Sequence, residues 1–371
     1  MASDQYSDKK IVWVLGSGFS VPLGGPTLND LLSPSYRRIL SKIFEKSSFP
    51  NLYNDNYLHW SYKIYNTGRN ETSTLPRMWF NAEEYIDYLD TAAKNPKSQA
   101  NYRIEAVIQN AKLSREPIDI NELSITTRRI IAAECSVFLQ NISTELEEWQ
   151  PYKQWARQLK NYNHDTIITF NYDRVLENLV NIKGIGHLGK NSFLTPPFRT
   201  PLLDDFVSII FKLHGSVDWK RKEPPNIPGA QKIIIETGND LEALECETDE
   251  LCIATPGPTK HEMVSDVFSP LWYKAEISLR NADAVVFMGY RFPPTDANAR
   301  DKLLGALMQN ESLDLRIFTV LGPDDNPDNR RLEALLKYAT SRKPNGKATV
   351  TRLPLWAQDF MSLYTPEMLF E

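Results

Sequence analysis

Five short apolar runs in this chain each stop at a glycine or a small polar cluster. Ile11 to Leu15 ends at Gly16, and Thr166 to Phe170 ends at Asn171-Tyr172-Asp173. Val207 to Leu213 ends at His214-Gly215, Ala282 to Met288 at Gly289, and Leu313 to Leu321 at Gly322. Runs of this length, rich in β-branched residues and bounded by glycine, read as buried strands. Helical patterns follow, from Arg174 to Val180 and from Arg330 to Tyr338, and Ala348 to Leu353 reads as a last strand. Apolar strands alternating with helices predict an α/β fold with a doubly wound, Rossmann-like parallel sheet. Ligands of such sheets bind beyond the carboxyl ends of the strands, which is where the polar clusters fall.

The first of these turns is the most glycine-rich stretch, VWVLGSGFSVPLGGPTLNDLLS from Val12 to Ser33. Gly16-Ser17-Gly18 lets backbone N–H groups approach a phosphate. A helix predicted from an N-cap at Thr27 through Leu28, Leu31 and Leu32 adds its positive dipole end. The Gly-x-Gly-x-x-Gly dinucleotide fingerprint is incomplete. Val21 stands at its third glycine, and Tyr36 where the ribose-binding acid is expected. That disfavours an ordinary dehydrogenase. A tight turn without a ligand is the competing reading of this stretch.

From about Pro34 to Lys160 aromatic and helical segments dominate, such as Ala82 to Ala93 and Ile125 to Leu146. Residues 35–160 therefore read as a mostly helical insertion or subdomain within a domain spanning 1–371. Lys94 to Glu116 is polar and is expected to be partly loop; Pro224 to His261 reads as a long loop or small excursion. Trp60, Tyr62 and Tyr65 read as core or interface residues.

The charge balance is 42 Lys+Arg against 47 Asp+Glu, a net charge of −5, without the basic footprint of a nucleic-acid binder. No apolar run reaches the ~18 residues of a membrane helix. Met1 to Lys10 lacks the apolar centre of a signal peptide, so a cytoplasmic protein with no membrane partner is expected. Cys135, Cys246 and Cys252 form no Cys-x-x-Cys pair, which suggests reduced thiols and no structural zinc.

Three further stretches follow GSGFS (Gly16 to Ser20) in order: TFNYDRVLE (Thr169 to Glu177), KLHGSVDW (Lys212 to Trp219) and GYRFPPTD (Gly289 to Asp296). Together they resemble the SIR2-like, sirtuin-related family from Lys10 to about Arg300. The details are closer to its bacterial branch than to the protein deacetylases, whose paired-cysteine zinc ribbon is missing. The resemblance implies NAD as substrate, cleavage of its nicotinamide–ribose bond, and no metal.

It also implies roles for individual residues. Gly16, Ser17, Gly18 and Ser20 would hold the diphosphate, and Phe19 would close over the ribose. Asn171 would orient the nucleophile or ribose, Asp173 would accept hydrogen bonds from the nicotinamide carboxamide, and His214 would act as the catalytic base. Gly289, Tyr290 and Asp296 would line the adenosine side, with Arg291 standing where a small residue is expected.

Plainer readings stand beside these. Asn171 and Asp173 are strong helix caps, His214 is also compatible with a satisfied core histidine, and Glu177 reads as support for its helix. His187 in GIGHLG is a second candidate; His59, His164 and His261 have no recognisable partner spacing.

The function implied is an NAD glycohydrolase: water is the acceptor, and nicotinamide and ADP-ribose are the products. Such a chain resembles an NAD-depleting antiviral (anti-phage) defence effector, expected to form a homo-oligomer and to answer to a partner defence protein in trans. The alternatives are a non-catalytic module that binds NAD or ADP-ribose, and a protein deacylase or ADP-ribosyltransferase.

Overall fold

The computed structural model describes residues 6, 8–33, 40, 55–71, 75–113, 117–140, 142–159, 165–182, 192–193, 208–222, 233–236, 250–254, 267–293, 296–323 and 325–371. Among them are nine strands: β1 Ile11–Leu15, β2 Thr166–Thr169, β3 Ile209–Lys212, β4 Gly215–Lys222, β5 Ile233–Glu236, β6 Leu251–Ile253, β7 Ala284–Met288, β8 Asp314–Val320 and β9 Lys347–Leu353. The chain divides into two compact units. One comprises Met1–Gly25, Asn141–Gly215 and Val267–Glu371; the other comprises Pro26–Gln140 and Ser216–Asp266.

The first unit holds a six-stranded sheet in the order β3-β2-β1-β7-β8-β9, and every neighbouring pair is parallel. This is the predicted doubly wound arrangement. The strand order reverses between β1 and β7, so the crevice that binds ligands in such folds lies at the carboxyl ends of those two strands. All five residues of β1 and all five of β7 are buried. A strand covered on both faces has no reason to alternate, so its sequence is a continuous apolar run. At the edge, β9 is half-exposed and reads KATVTRL, with charged residues at the sheet margin. Trp13 of β1 meets Trp155 and Tyr364 edge-on, with ring centroids 5.3 and 4.9 Å away. Trp155 lies on helix Gln150–Leu159 and Tyr364 directly follows helix Ala357–Leu363, and the two helices pack on each other. Helices Ser269–Arg280, Ala297–Met308 and Pro327–Thr340 pack in succession, the first against β3 and the last against β8 and β9.

The second unit contains helices Asp55–Arg69, Ala82–Lys94, Gln99–Ala111 and Ile120–Val137. The last three start at side-chain caps: Asn81 accepts from Glu84 N, Ser98 from Asn101 N, and Asp119 from Asn121 N and Glu122 N. Within Lys94 to Glu116, expected to be partly loop, Asn95 to Ser98 is non-helical and Gln99–Ala111 is a helix. Ala100, Ile104 and Val107 are spaced for one buried face, a stripe that the polar residues between them obscure. The stretch expected to be a long loop or small excursion supplies β5 and β6, which flank β4 in a three-stranded sheet, with β4 and β5 antiparallel.

Candidate functional site

At the carboxyl edge of the parallel sheet, Leu15 is level with both Thr169 and Met288, and Thr169 with Lys212. The turns that leave β1, β2, β3 and β7 therefore start from one row. The backbone ladder runs one residue further: Gly16 N donates to Met288 O, Phe170 N to Leu15 O and Leu213 N to Thr169 O. Gly16 to Ser20, Asn171 to Asp173, His214, and Gly289 with Tyr290 thus gather on this edge.

The turn after β1 is not followed by a helix. Two 3-10 turns, Ser17–Phe19 and Val21–Leu23, are followed by Gly24 in the left-handed region at φ 84°. The helix expected from Thr27 is a series of turns instead. Asp30 accepts from both the N–H and the hydroxyl of Thr27, a local closure that competes with helix formation. Leu32 is left-handed at φ 59°. The dipole argument for phosphate binding at this position therefore does not hold.

The glycines have a packing role. A Cβ at Gly16 would stand 2.5 Å from Gly289 O, and one at Gly18 would stand 2.7 Å from Gly289 Cα. Gly289, at φ +69°, would bring its own Cβ within 2.6 Å of the Gly18 backbone. These glycines let the turns after β1 and β7 interpenetrate. Gly18 N donates to Gly289 O, Phe19 N to Gly16 O and Ser20 N to Ser17 O, so much of the loop's backbone is committed internally. Phe19 is buried, edge-on to Tyr152 and Trp155. Its carbonyl accepts from Tyr152 O–H, so Phe19 anchors the loop in the core. Burial first, and the Asp173 charge next, push the Tyr152 hydroxyl above its ordinary range.

The turn after β2 is tied to this loop. Asn171 Nδ2 donates to Gly16 O at 3.0 Å and to Ser20 Oγ at 3.1 Å, and Ser20 Oγ donates to Asp173 Oδ2 at 2.6 Å. Asn171 is thus not a helix cap; both its amide hydrogens hold the glycine loop. Asp173 does some capping, since its Oδ1 accepts from Val175 N. Lys212, with only 1% of its side chain exposed, donates to Asp173 O and to Glu177 Oε1, each at 2.6 Å.

His214 follows β3 and is buried among rings. Phe170 is edge-on to it at 4.9 Å, and Tyr172 and Trp272 each lie 6.2 Å away, centroid to centroid. Asp296 Oδ2 lies 3.6 Å from His214 Nε2 and accepts from Tyr290 O–H at 3.0 Å.

A family model described as a SIR2-like domain matches residues 165–341. The chain carries a SIR2-like domain. No curated protein matches it. SIR2-like domains use NAD, and members of the family are NAD-dependent enzymes. The matched span contains Asn171, Asp173, His214, Gly289, Tyr290 and Asp296; the glycine loop from Gly16 to Ser20 lies before it and is hydrogen-bonded to it through Asn171.

Within the matched domain Asp296, expected on the adenosine side, faces the imidazole of His214. Tyr290, also expected there, is 5% exposed and stacked on Phe170 with centroids 4.1 Å apart. Arg291 pairs with Asp328 and is 43% exposed. His187, His164 and His261 lie outside the described residues. Lys212 was not singled out by sequence, although a lysine in a run as apolar as IIFKL is itself a signal, because buried lysines need partners. Among the described residues no group of three or more His, Cys, Asp and Glu is placed to hold a metal. No described helix is long and apolar enough to cross a membrane.

Proposed function

We propose that the SIR2-like domain is an NAD glycohydrolase. The observation that carries this reading is the chain of hydrogen bonds Asn171–Ser20–Asp173 at the switch point of the sheet, with His214 on the adjoining strand end. Breaking the nicotinamide–ribose bond develops positive charge on the ribose, as in glycoside hydrolysis. The bond's electron pair goes to the pyridinium nitrogen, so nicotinamide leaves neutral. Water adds at the ribose carbon and gives up a proton. Fixed dipoles, a positioned water and a base are what such a step needs.

Each group has a matching role. With both amide hydrogens of Asn171 committed, its Oδ1 is the atom that orients a ribose hydroxyl or the water. His214 takes the proton, and Asp173, held by Ser20 and by the backbone of Val175, receives the carboxamide. Ser17 and Gly18, the partly open members of the glycine loop, contact the diphosphate. We infer further that the enzyme depletes NAD in the cytoplasm as an antiviral effector. In this reading it acts as a homo-oligomer, with a partner defence protein in trans holding it silent until triggered.

The test is NAD turnover by the purified chain, following nicotinamide and ADP-ribose, beside His214→Ala and Asn171→Ala. Turnover that is lost in both variants supports the reading. Tight NAD binding with no turnover under any condition, oligomerisation included, favours a non-catalytic NAD module. Cleavage only with an acylated peptide favours a deacylase.

A further inference from the structure

Asp296 occupies the N-cap of helix Ala297–Met308, yet its side chain makes no capping hydrogen bond. Aspartate is among the best N-cap residues because its carboxylate accepts from the first turn of the helix, and forgoing that bond destabilises the helix start. The carboxylate is turned inward instead. It is 4% exposed, accepts from Tyr290 O–H at 3.0 Å, and presents the same oxygen to His214 Nε2 at 3.6 Å. Phe170 joins the two sides, stacked on Tyr290 at 4.1 Å and edge-on to His214 at 4.9 Å. Three strand ends and one helix start thus converge on a single imidazole. The rings of Phe170, Tyr172 and Trp272 around His214 bring no formal charge at neutral pH. Tyr172 and Asp296 are titratable groups that face it, and Tyr290 is bonded to the same Asp296 oxygen.

We propose that Asp296 is the positioning residue of His214: a buried carboxylate, fixed by Tyr290, that holds the imidazole through Nε2 and stabilises its protonated form. The 3.6 Å contact is an ion pair once the imidazole takes up a proton, so the carboxylate acts on the charged form of His214. The Asp296 carboxylate, buried beside the imidazole, offsets the imidazolium charge as the aspartate of a hydrolytic triad does. The pairing is geometric and stands without the hydrolase reading; its catalytic consequence rests on that reading.

The experiment is a histidine-selective NMR titration of the full-length chain, with the His214 signal identified by its loss in His214→Gln. An opposite charge this close favours the protonated imidazole by about one pH unit or more. The His214 midpoint should therefore fall by about that much in Asp296→Asn and recover most of it in Asp296→Glu. If Asp296→Asn does not fold, Asp296→Ser is read the same way. In the turnover assay kcat should fall at least about tenfold in Asp296→Asn, with the KM for NAD changed less than about threefold, the signature of an interaction used in the transition state. A His214 midpoint unmoved in the folded variant overturns the proposal. So does a raised KM at unchanged kcat, which would return Asp296 to the adenosine side. If the wild-type chain cleaves no NAD, the hydrolase reading fails and the titration still decides the pairing.

Discussion

Glu134 in the helical unit and Asp173 at the edge of the parallel sheet are both carboxylates tied into hydrogen bonds, and they are built for different ends. Glu134 is wholly buried on helix Ile120–Val137 and accepts from Leu32 N at 2.8 Å and Tyr62 O–H at 2.6 Å. Burial pushes its carboxyl up to about 8 against those hydrogen bonds, so near neutral pH it is a neutral brace across the helices. Asp173 is half-buried, at the end of a chain of donors that starts on Asn171, and the carbonyl of the same residue takes Lys212. One network closes a core; the other ends at an open edge with charge and hydroxyls where three strands finish. Buried polarity by itself does not mark a site. Polarity where the ladder of the sheet runs out, drawn from several strand ends, does.

The largest effect should come from Asn171→Ala. Losing the amide that holds Gly16 O and Ser20 Oγ should lower NAD turnover by about 10²-fold or more, the scale of losing a group that positions reactants. The melting temperature should shift by only a few degrees, since about 1 kcal/mol per hydrogen bond is at stake. Equal losses of turnover in Glu134→Gln would erase the contrast between the two regions.

Lys212→Met comes next. It takes the Lys212 ammonium away from the Glu177 carboxylate, which is 11% exposed. Removing one partner of a buried pair costs about 3–5 kcal/mol, readable as a shift in the denaturation midpoint. The double variant Lys212→Met/Glu177→Leu should recover most of that stability while leaving turnover low. A double variant no more stable than the single would show that the Asp173 carbonyl, not the ion pair, is what the lysine serves.

A smaller, pH-dependent effect belongs to Glu134. Its folded value near 8 exceeds the unfolded value of 4.5. Its contribution to stability is therefore complete below pH 4.5 and declines as pH rises toward 8, by up to about 1.4 kcal/mol per pH unit. Urea denaturation from pH 5 to 8 should show this decline in the wild type and a flatter profile in Glu134→Gln. Identical profiles would mean that Glu134 is already ionised in the folded chain. Arg291→Ala should do least: its pair with Asp328 is at the surface, and less than about 1 kcal/mol should be lost.

The strands were legible because burial on both faces makes their sequence continuously apolar, as in IVWVL and AVVFM. Asn171 and His214 were legible for the same reason, since each directly follows such a run, and Asp173 lies two residues past Asn171. The expected helix after Thr27 failed because Asp30 closes a turn on Thr27, a local bond that the apolar spacing of Leu28, Leu31 and Leu32 concealed. The helix Gln99–Ala111 was hidden because only a narrow stripe of it is apolar.

By itself, then, the sequence determined that parallel strands form and that polar residues stand at their carboxyl ends, since both follow from local hydrophobic pattern. Tertiary structure decided the rest. The strand order puts β1 beside β7, and only there do Gly16 and Gly18 meet Gly289, so glycines that read as a phosphate cradle also serve as the interlock of two turns. It also turned Asp296 away from its own helix and toward His214. Neither pairing leaves a trace in local periodicity, because each joins residues far apart in sequence whose only common property is the edge at which the folded sheet places them.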